Sequence, residues 1–157
     1  PLMMRLAKDA PRAKVAWRAT GRSEQVTQQL HAIMCTPFIE DGHIYGVCSY
    51  GQFRCLKAAT GERVWESFKP VTGAEGRWAN AFLVKHEDRF FIHNEKGDLI
   101  IAKLSPKGYE EISRANLIAP TNFARGRKLV WSHPAFANRS VYLRNDKEIR
   151  CYSLAAD

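Results

Sequence analysis

Four aspartates are the first candidates for chemistry, because a carboxylate can act as a general base or bind Ca²⁺. They are Asp41, Asp88, Asp98 and Asp146. Each falls at a predicted hairpin turn, where aspartate is favoured because its side chain bonds the nearby backbone. We therefore interpret all four as structural residues, and the sequence predicts no catalytic residue and no metal ligand.

The histidines offer one weak ligand candidate. No two of the five have the i,i+4 spacing of a helical metal site, and no catalytic triad is implied. His133 stands before Pro134 in a segment that we predict to be an inner strand, facing the centre of the molecule. A hydrogen-bonded histidine inside the protein is the favoured interpretation, and a ligand contact is the alternative.

Tryptophans could form a platform on which sugar rings stack. Trp78 lies beside Arg77 in a predicted loop and is the best candidate for an exposed ligand contact, although burial is the favoured interpretation. Trp17 and Trp65 instead each end a short predicted strand, where we expect them to pack between neighbouring sheets.

The cysteines do not have the spacing of a zinc or thioredoxin-like site, since no Cys-x-x-Cys pair occurs. A two-residue turn at Tyr50-Gly51 would place Cys48 and Cys55 diagonally on one face of a hairpin. Diagonal pairs are often too far apart for a disulfide, so small buried thiols are predicted for these and for Cys35 and Cys151.

The net charge of +8 and pI near 9.5 raise the possibility of an acidic partner such as nucleic acid. Many basic residues lie within residues 5–22, yet no helix-turn-helix or zinc-finger spacing accompanies them. We interpret them as solvated surface or as contacts to another part of a longer chain, and nucleic-acid binding as unlikely. No apolar run approaches the roughly 20 residues of a membrane-spanning helix, and no signal peptide is visible.

Short strands separated by Gly-containing turns recur along the chain at nearly constant offsets. Gly51 and Gly97 are 46 residues apart, Trp17 and Trp65 are 48 apart, and Trp65 and Ile112 are 47 apart. A four-stranded unit of roughly 45 residues is typical of a β-propeller blade. A β-sandwich with strands every 8–12 residues is the alternative, but it does not require Trp or Gly to return at fixed offsets.

The predicted fold is therefore all-β: an arc of a β-propeller with about three four-stranded antiparallel blades, A to D, forming an incomplete ring. We place the blades at residues 33–66, 81–114 and 129–154, the last without its fourth strand, and a lone D strand at 15–18. Residues 115–128 are predicted to be a connection. Residues 1–13 are predicted to be a poorly ordered or context-dependent lead-in segment before a partial propeller over 14–157.

The segment Lys57-Ala58-Ala59-Thr60-Gly61-Glu62-Arg63-Val64-Trp65 resembles the repeat of the PQQ-like (quinoprotein-type) β-propellers, Ala-x-Asp-x-x-Thr-Gly-x-x-x-Trp. Thr60, Gly61 and Trp65 match, whereas Cys55 and Lys57 replace the family's Ala and Asp. The second repeat keeps Gly108 but has Ile112 in place of Trp. The resemblance covers roughly residues 14–154 and implies that Thr60, Gly61, Trp65, Trp17 and Gly108 dock each blade against the next.

This resemblance, to the C-terminal portion of bacterial PQQ-binding-like repeat proteins, implies a non-catalytic scaffold for protein interaction or ligand binding. The implied location is extracytoplasmic, periplasmic or secreted, with the remaining blades of a parent chain or a protein as partner and no cofactor. The alternative is a piece of a PQQ- and Ca²⁺-dependent dehydrogenase whose catalytic residues lie in other blades. Members that bind PQQ commonly have two adjacent cysteines, and this chain has no such pair.

Overall fold

The computed structural model describes residues 1–155, which contain fifteen β-strands and no helix. The all-β prediction is confirmed. The strands are β1 (Leu2–Leu6), β2 (Ala13–Arg18), β3 (Phe38–Glu40), β4 (His43–Val47), β5 (Phe53–Lys57), β6 (Arg63–Ser67), β7 (Ala81–His86), β8 (Arg89–Asn94), β9 (Asp98–Ser105), β10 (Gly108–Asn116), β11 (Asn122–Ala124), β12 (Arg127–Leu129), β13 (Ala135–Ala137), β14 (Ser140–Arg144) and β15 (Ile149–Ser153).

These strands form small antiparallel sheets, and within each sheet every strand pairs with the strands next to it in the sequence. Sheet 1 is β1–β2, sheet 2 is β3–β4–β5–β6, sheet 3 is β7–β8–β9–β10 and sheet 4 is β13–β14–β15. A separate hairpin, β11–β12, lies between sheets 3 and 4 in the sequence. Short turns join the strands within each sheet, as expected for antiparallel meanders.

The sheets pack face to face in chain order, because each inner sheet is apolar on both faces. Met3 and Trp17 of sheet 1 contact Ile44 and Leu56 on one face of sheet 2. The main core fills the space between sheets 2 and 3, and a third cluster fills the space between sheets 3 and 4. Since side chains alternate between the faces of a strand, the central strands of the inner sheets, β4, β5, β8 and β9, each contribute to two cores.

Sheets 2 and 3 contain the same turn at equivalent positions. Gly51 and Gly97, at φ 85° and 84°, each close a three-residue loop in which their N–H bonds the carbonyl oxygen three residues earlier. A three-residue loop ending in a left-handed residue is a common hairpin connection, and glycine adopts that conformation without steric cost. The 46-residue offset thus corresponds to a repeated local structure.

The predicted placement of Cys48 and Cys55 on one face of the hairpin is wrong, because a three-residue loop replaces the predicted two-residue turn and shifts the strand register by one residue. Tyr45 pairs with Cys55, and Cys48 lies opposite Gln52, so the two cysteines are on opposite faces of sheet 2. A shift of one residue moves a side chain to the other face of a sheet. All four cysteines are free thiols: Cys35, Cys48 and Cys55 are buried as predicted, whereas Cys151 is exposed.

The strand predicted at residues 15–18 is not a lone strand, because β2 pairs with β1 in the segment predicted to be a lead-in. The pairing skips Ala16, so that Met3 faces Trp17 and Met4 faces Val15. This bulge turns Val15 away from the Trp17 face. The segment of residues 1–13 therefore contains a strand, Leu2–Leu6, and is not poorly ordered, whereas the alternative of a context-dependent lead-in stays a prediction.

The start of the third repeat also differs from the prediction. Leu129 ends β12, residues 130–134 form no strand, and β13 begins at Ala135, so His133 precedes the inner strand instead of lying within it. Pro134 has no N–H to donate to a ladder, and the Val130 N–H bonds Glu95 O instead, at 2.8 Å. The predicted connection over 115–128 contains the end of β10, all of β11 and the first two residues of β12.

Candidate functional site

Two tryptophans link successive sheets in the same way. The indole Nε1–H of Trp17 donates to Ala58 O at 2.8 Å, and that of Trp65 donates to Ser105 O at the same distance. Each indole comes from the last strand of one sheet and reaches the β-turn region between the last two strands of the next. The acceptors are 47 residues apart, which matches the offset of the sequence repeat.

Gly61 is the residue against which Trp17 packs. It has φ 75°, and a Cβ atom there would lie 2.9 Å from the Trp17 ring. Thr60 precedes it in the turn, where its hydroxyl accepts a hydrogen bond from the Glu62 N–H at 3.3 Å. Both the backbone conformation and the close ring contact require glycine at this position.

Gly108 stands at the equivalent place in sheet 3 but has a different environment. Its φ is 150°, and nothing lies within 4 Å of the position that a Cβ would take. Trp65 bonds the nearby Ser105 and packs edge-on against Phe53, with ring centroids 5.5 Å apart. In this second dock the indole is bonded to sheet 3 through Ser105 O, while Phe53 packs on it from within sheet 2, and no ring contacts the glycine.

The predicted ligand candidates Trp78 and Arg77 lie on a face formed by the loops between sheets. Trp78 has φ 60°, a left-handed conformation that is unusual for a bulky residue, and its indole N–H has no hydrogen-bond partner within residues 1–155. The Arg125 guanidinium lies 3.8 Å from the ring centroid, and that of Arg77 lies 5.2 Å away. We call these three residues the Trp78 face.

The charges of the Trp78 face are only partly compensated. Arg77 forms a salt bridge with Glu24, at 2.9 Å. Arg125 forms no salt bridge in the described part of the chain, and its guanidinium is stacked on the indole. Stacking leaves the donors at the edge of a guanidinium free, so this face can offer N–H groups to an acceptor.

His133 is not part of this face. It is exposed, its Nδ1 lies 2.8 Å from Pro134 O, and its ring lies against Phe82 with the centroids 4.9 Å apart. The nearby His93 is fully buried on the same side of sheet 3, and burial lowers the pKa of its imidazole. Its Nδ1 donates to Asp98 O at 3.1 Å, while Nε2 has no partner among the described residues.

A buried carboxylate that sequence patterns did not indicate lies beside the Trp78 face. The Glu95 side chain is 2% exposed and accepts bonds from Arg127 Nε at 2.5 Å, Arg127 Nη2 at 3.0 Å and Trp131 Nε1 at 3.1 Å. The Asn80 N–H adds a fourth, at 3.2 Å. Oε1 accepts the Arg127 Nε bond and Oε2 accepts the other three, so both oxygens are engaged and this carboxylate joins the β11–β12 hairpin to sheet 3.

Asp98 is likewise occupied by structural partners. It accepts hydrogen bonds from Asn94, Asn116 and Arg114 at 2.9–3.1 Å. Burial alone would raise the pKa of this carboxyl, but these bonds outweigh burial and hold the pKa below its usual range. Asp41, Asp88 and Asp146 lie at three other hairpin turns, as the sequence predicted.

Within residues 1–155, no three His, Cys, Asp or Glu side chains are grouped so that they could hold a metal ion. Those residues also include no helix with the length and apolar composition needed to cross a membrane. No protein-family model matches this chain, and no curated protein matches it. The sequence repeat and the geometry of the residues themselves are thus the basis for inferring function.

Proposed function

We propose that this chain is a non-catalytic portion of a PQQ-like β-propeller and that it acts as a rigid scaffold for protein interaction or ligand binding. The proposal places it outside the cytoplasm of a bacterium, on the family resemblance. Its sheets would be blades: sheets 2 and 3 complete, sheet 4 with three strands, and sheet 1 with two.

The repeated tryptophan dock is the observation that carries this proposal. Trp17 and Trp65 each bond a main-chain carbonyl in the turn region of the following sheet, at 2.8 Å, and the acceptors differ by one repeat. A propeller needs each blade to be fixed to the next in one orientation. An indole that both packs and donates a hydrogen bond supplies that fixation, because it has large area and a directional donor.

In this proposal, the Trp78 face is the surface that binds the partner. It combines a half-buried indole with an Arg125 guanidinium that no described carboxylate neutralises. Trp and Arg are the residue types that most often dominate protein interfaces. The expected partner group is an acceptor such as a carboxylate side chain of another protein.

Photo-crosslinking in cells tests the interaction. A benzoylphenylalanine in place of Phe123, which is 69% exposed on the hairpin whose turn contains Arg125, should yield discrete adducts. The adducts should disappear in the double variant Trp78→Ala, Arg125→Ala, and should not form from benzoylphenylalanine at Ile112. Adducts that persist in the double variant would show that this face is not the interaction surface.

A second measurement addresses catalysis. The parent protein, with all of its blades, is incubated with PQQ and Ca²⁺, and the reduction of an artificial electron acceptor by alcohols and sugars is followed. No turnover above the cofactor alone is expected. Saturable turnover would refute the scaffold proposal in favour of a quinoprotein dehydrogenase.

A further inference from the structure

A groove at the other end of the interface between sheets 3 and 4 has the features of a small-molecule site. It has a volume of about 380 Å³ and lies between the ends of β7 and β13. Its apolar wall includes Val84, Phe91, Phe136 and Leu154, and its polar rim includes His86 and Arg139. A mainly apolar pocket of several hundred cubic ångström with a few polar groups is typical of ligand sites.

The apolar wall is a ladder of stacked rings. Phe91 and Phe136 are stacked with centroids 4.9 Å apart and planes inclined by 24°, and His86 stacks on Phe91 at 5.8 Å and 21°. His86 is exposed, so the ladder ends at the surface. A further planar group can extend such a stack or lie along its edge, which favours an aromatic ligand over an aliphatic one.

Arg139 supplies a positive charge at the rim. It forms no salt bridge in the part of the chain that the structure describes, whereas Lys85, the other cation lining the groove, is paired with Glu40. Lys85 also lies over the Phe38 and Phe90 rings, on the opposite face of sheet 3. The cation free to meet a ligand anion is therefore Arg139.

Arg139 occupies a backbone conformation that normally selects glycine. Asn138 and Arg139, at φ 49° and 53°, form the two-residue turn between β13 and β14. Two other two-residue turns, Asp41-Gly42 and Arg125-Gly126, have glycine at the second position, at φ 74° and 78°, whereas the β7–β8 turn, Glu87-Asp88, has none. A left-handed conformation is unfavourable for a residue with a Cβ, so arginine is strained where glycine would fit.

We propose that this groove binds a planar aromatic ligand that carries an anionic group, with the rings against the His86–Phe91–Phe136 ladder and the anion at the Arg139 guanidinium. This site is separate from the Trp78 face and does not depend on the scaffold proposal. It accounts together for the stacked rings, the unpaired cation and the arginine at a glycine position.

The site is tested by titrating the protein with 2-naphthoate and following binding by calorimetry and by backbone amide NMR shifts. The expected dissociation constant is about 1 mM or lower, from typical ligand efficiencies. The shifted amides should cluster at residues 84–86 and 136–140. An absence of saturable binding up to about 10 mM, or shifts centred elsewhere, would overturn the proposal.

A matched set of variants tests the role of each group. Arg139→Gly should weaken 2-naphthoate binding about two- to fivefold, as expected for loss of an exposed ion pair, and leave binding of the neutral 2-naphthalenemethanol unchanged. The same variant should raise the thermal midpoint by about 2–4 °C, because it relieves the left-handed arginine. Phe136→Leu should weaken both ligands.

Arg125→Gln, on the Trp78 face, is the control and should leave naphthoate binding unchanged. Equal loss from Arg125→Gln and Arg139→Gly would indicate a non-specific charge effect and would refute the site. Unchanged naphthoate binding in Arg139→Gly would refute the anion contact. Because this variant is expected to be more stable, a loss of binding cannot be ascribed to unfolding.

Discussion

Replacement of Trp65 by alanine tests the dock between sheets 2 and 3. Trp65 is half-buried beside the main core, its indole bonds Ser105 O, and its ring lies edge-on to Phe53 and tilted against Tyr45. Removal of a buried aromatic side chain costs about 3–5 kcal/mol. Because Trp65 keeps some exposure, we expect the lower part of that range, near 3 kcal/mol.

Trp65→Phe separates the hydrogen bond from the packing. The smaller ring keeps much of the contact with Phe53 but leaves Ser105 O without its indole donor. The net loss expected for one hydrogen bond is about 1 kcal/mol. Comparison of the two losses therefore separates the hydrogen bond to Ser105 of sheet 3 from ring packing, which includes Phe53 and Tyr45 of sheet 2 itself.

Urea unfolding followed by circular dichroism measures both variants against the unaltered chain. A decrease in unfolding free energy of about 3 kcal/mol for Trp65→Ala, with about 1 kcal/mol for Trp65→Phe, is the expected result. Loss of less than about 1 kcal/mol in Trp65→Ala would mean that the indole does not hold the two sheets together.

Three further expectations follow from local geometry. Gly97→Ala should lower the unfolding free energy by more than about 2 kcal/mol, because a Cβ would overlap Ile118 O and φ is 84°. Gly126→Ala, where φ is 78° and nothing lies within 4 Å, should lower it by about 1 kcal/mol, and equal losses in urea unfolding would refute the overlap. Hydrogen bonding from Arg114, with Tyr109 also donating, lowers the pKa of Glu111 from 4.5 to about 2. A lowered carboxyl pKa stabilises the fold above pH 4.5, and that contribution is lost as the pH falls towards 2. Arg114→Gln should therefore reduce the change in unfolding free energy between pH 4.5 and pH 2, and an unchanged curve would contradict the role of Arg114 in lowering this pKa. Burial raises the pKa of Cys35 to about 11 and also raises the pKa of the Cys48 and Cys55 thiols. A thiol reagent at pH 8 should therefore modify Cys151 alone in the folded protein and all four cysteines after unfolding. Rapid labelling of more than one thiol in the folded protein would contradict the burial of the other three.

The regular spacing of Trp17, Trp65, Gly51 and Gly97 made the strand-rich repeat accessible from sequence. Each of these residues fits a demanding local position, either a positive φ or a large ring against a neighbouring sheet. Residues with such requirements recur wherever the local structure recurs, so their spacing predicted the strands of sheets 2 and 3.

Register and long-range contacts could not be predicted in this way. Gly51 suits a two-residue or a three-residue loop, and the choice between them decides which face Cys48 occupies. The Glu95–Arg127 pair joins residues 32 apart on separate elements, and no local pattern marks it. Residues 1–13 were not predicted to form a strand, because the pairing of β1 with β2 includes a bulge at Ala16 that no local pattern marks.

Every hydrogen-bonded strand ladder among residues 1–155 closes within one sheet, and no strand is shared between two sheets. Side-chain packing, single indole bonds and loop contacts join one sheet to the next. A gene segment that encodes one sheet and its docking tryptophan could therefore be duplicated or lost without changing the strand pairing in any of the remaining sheets.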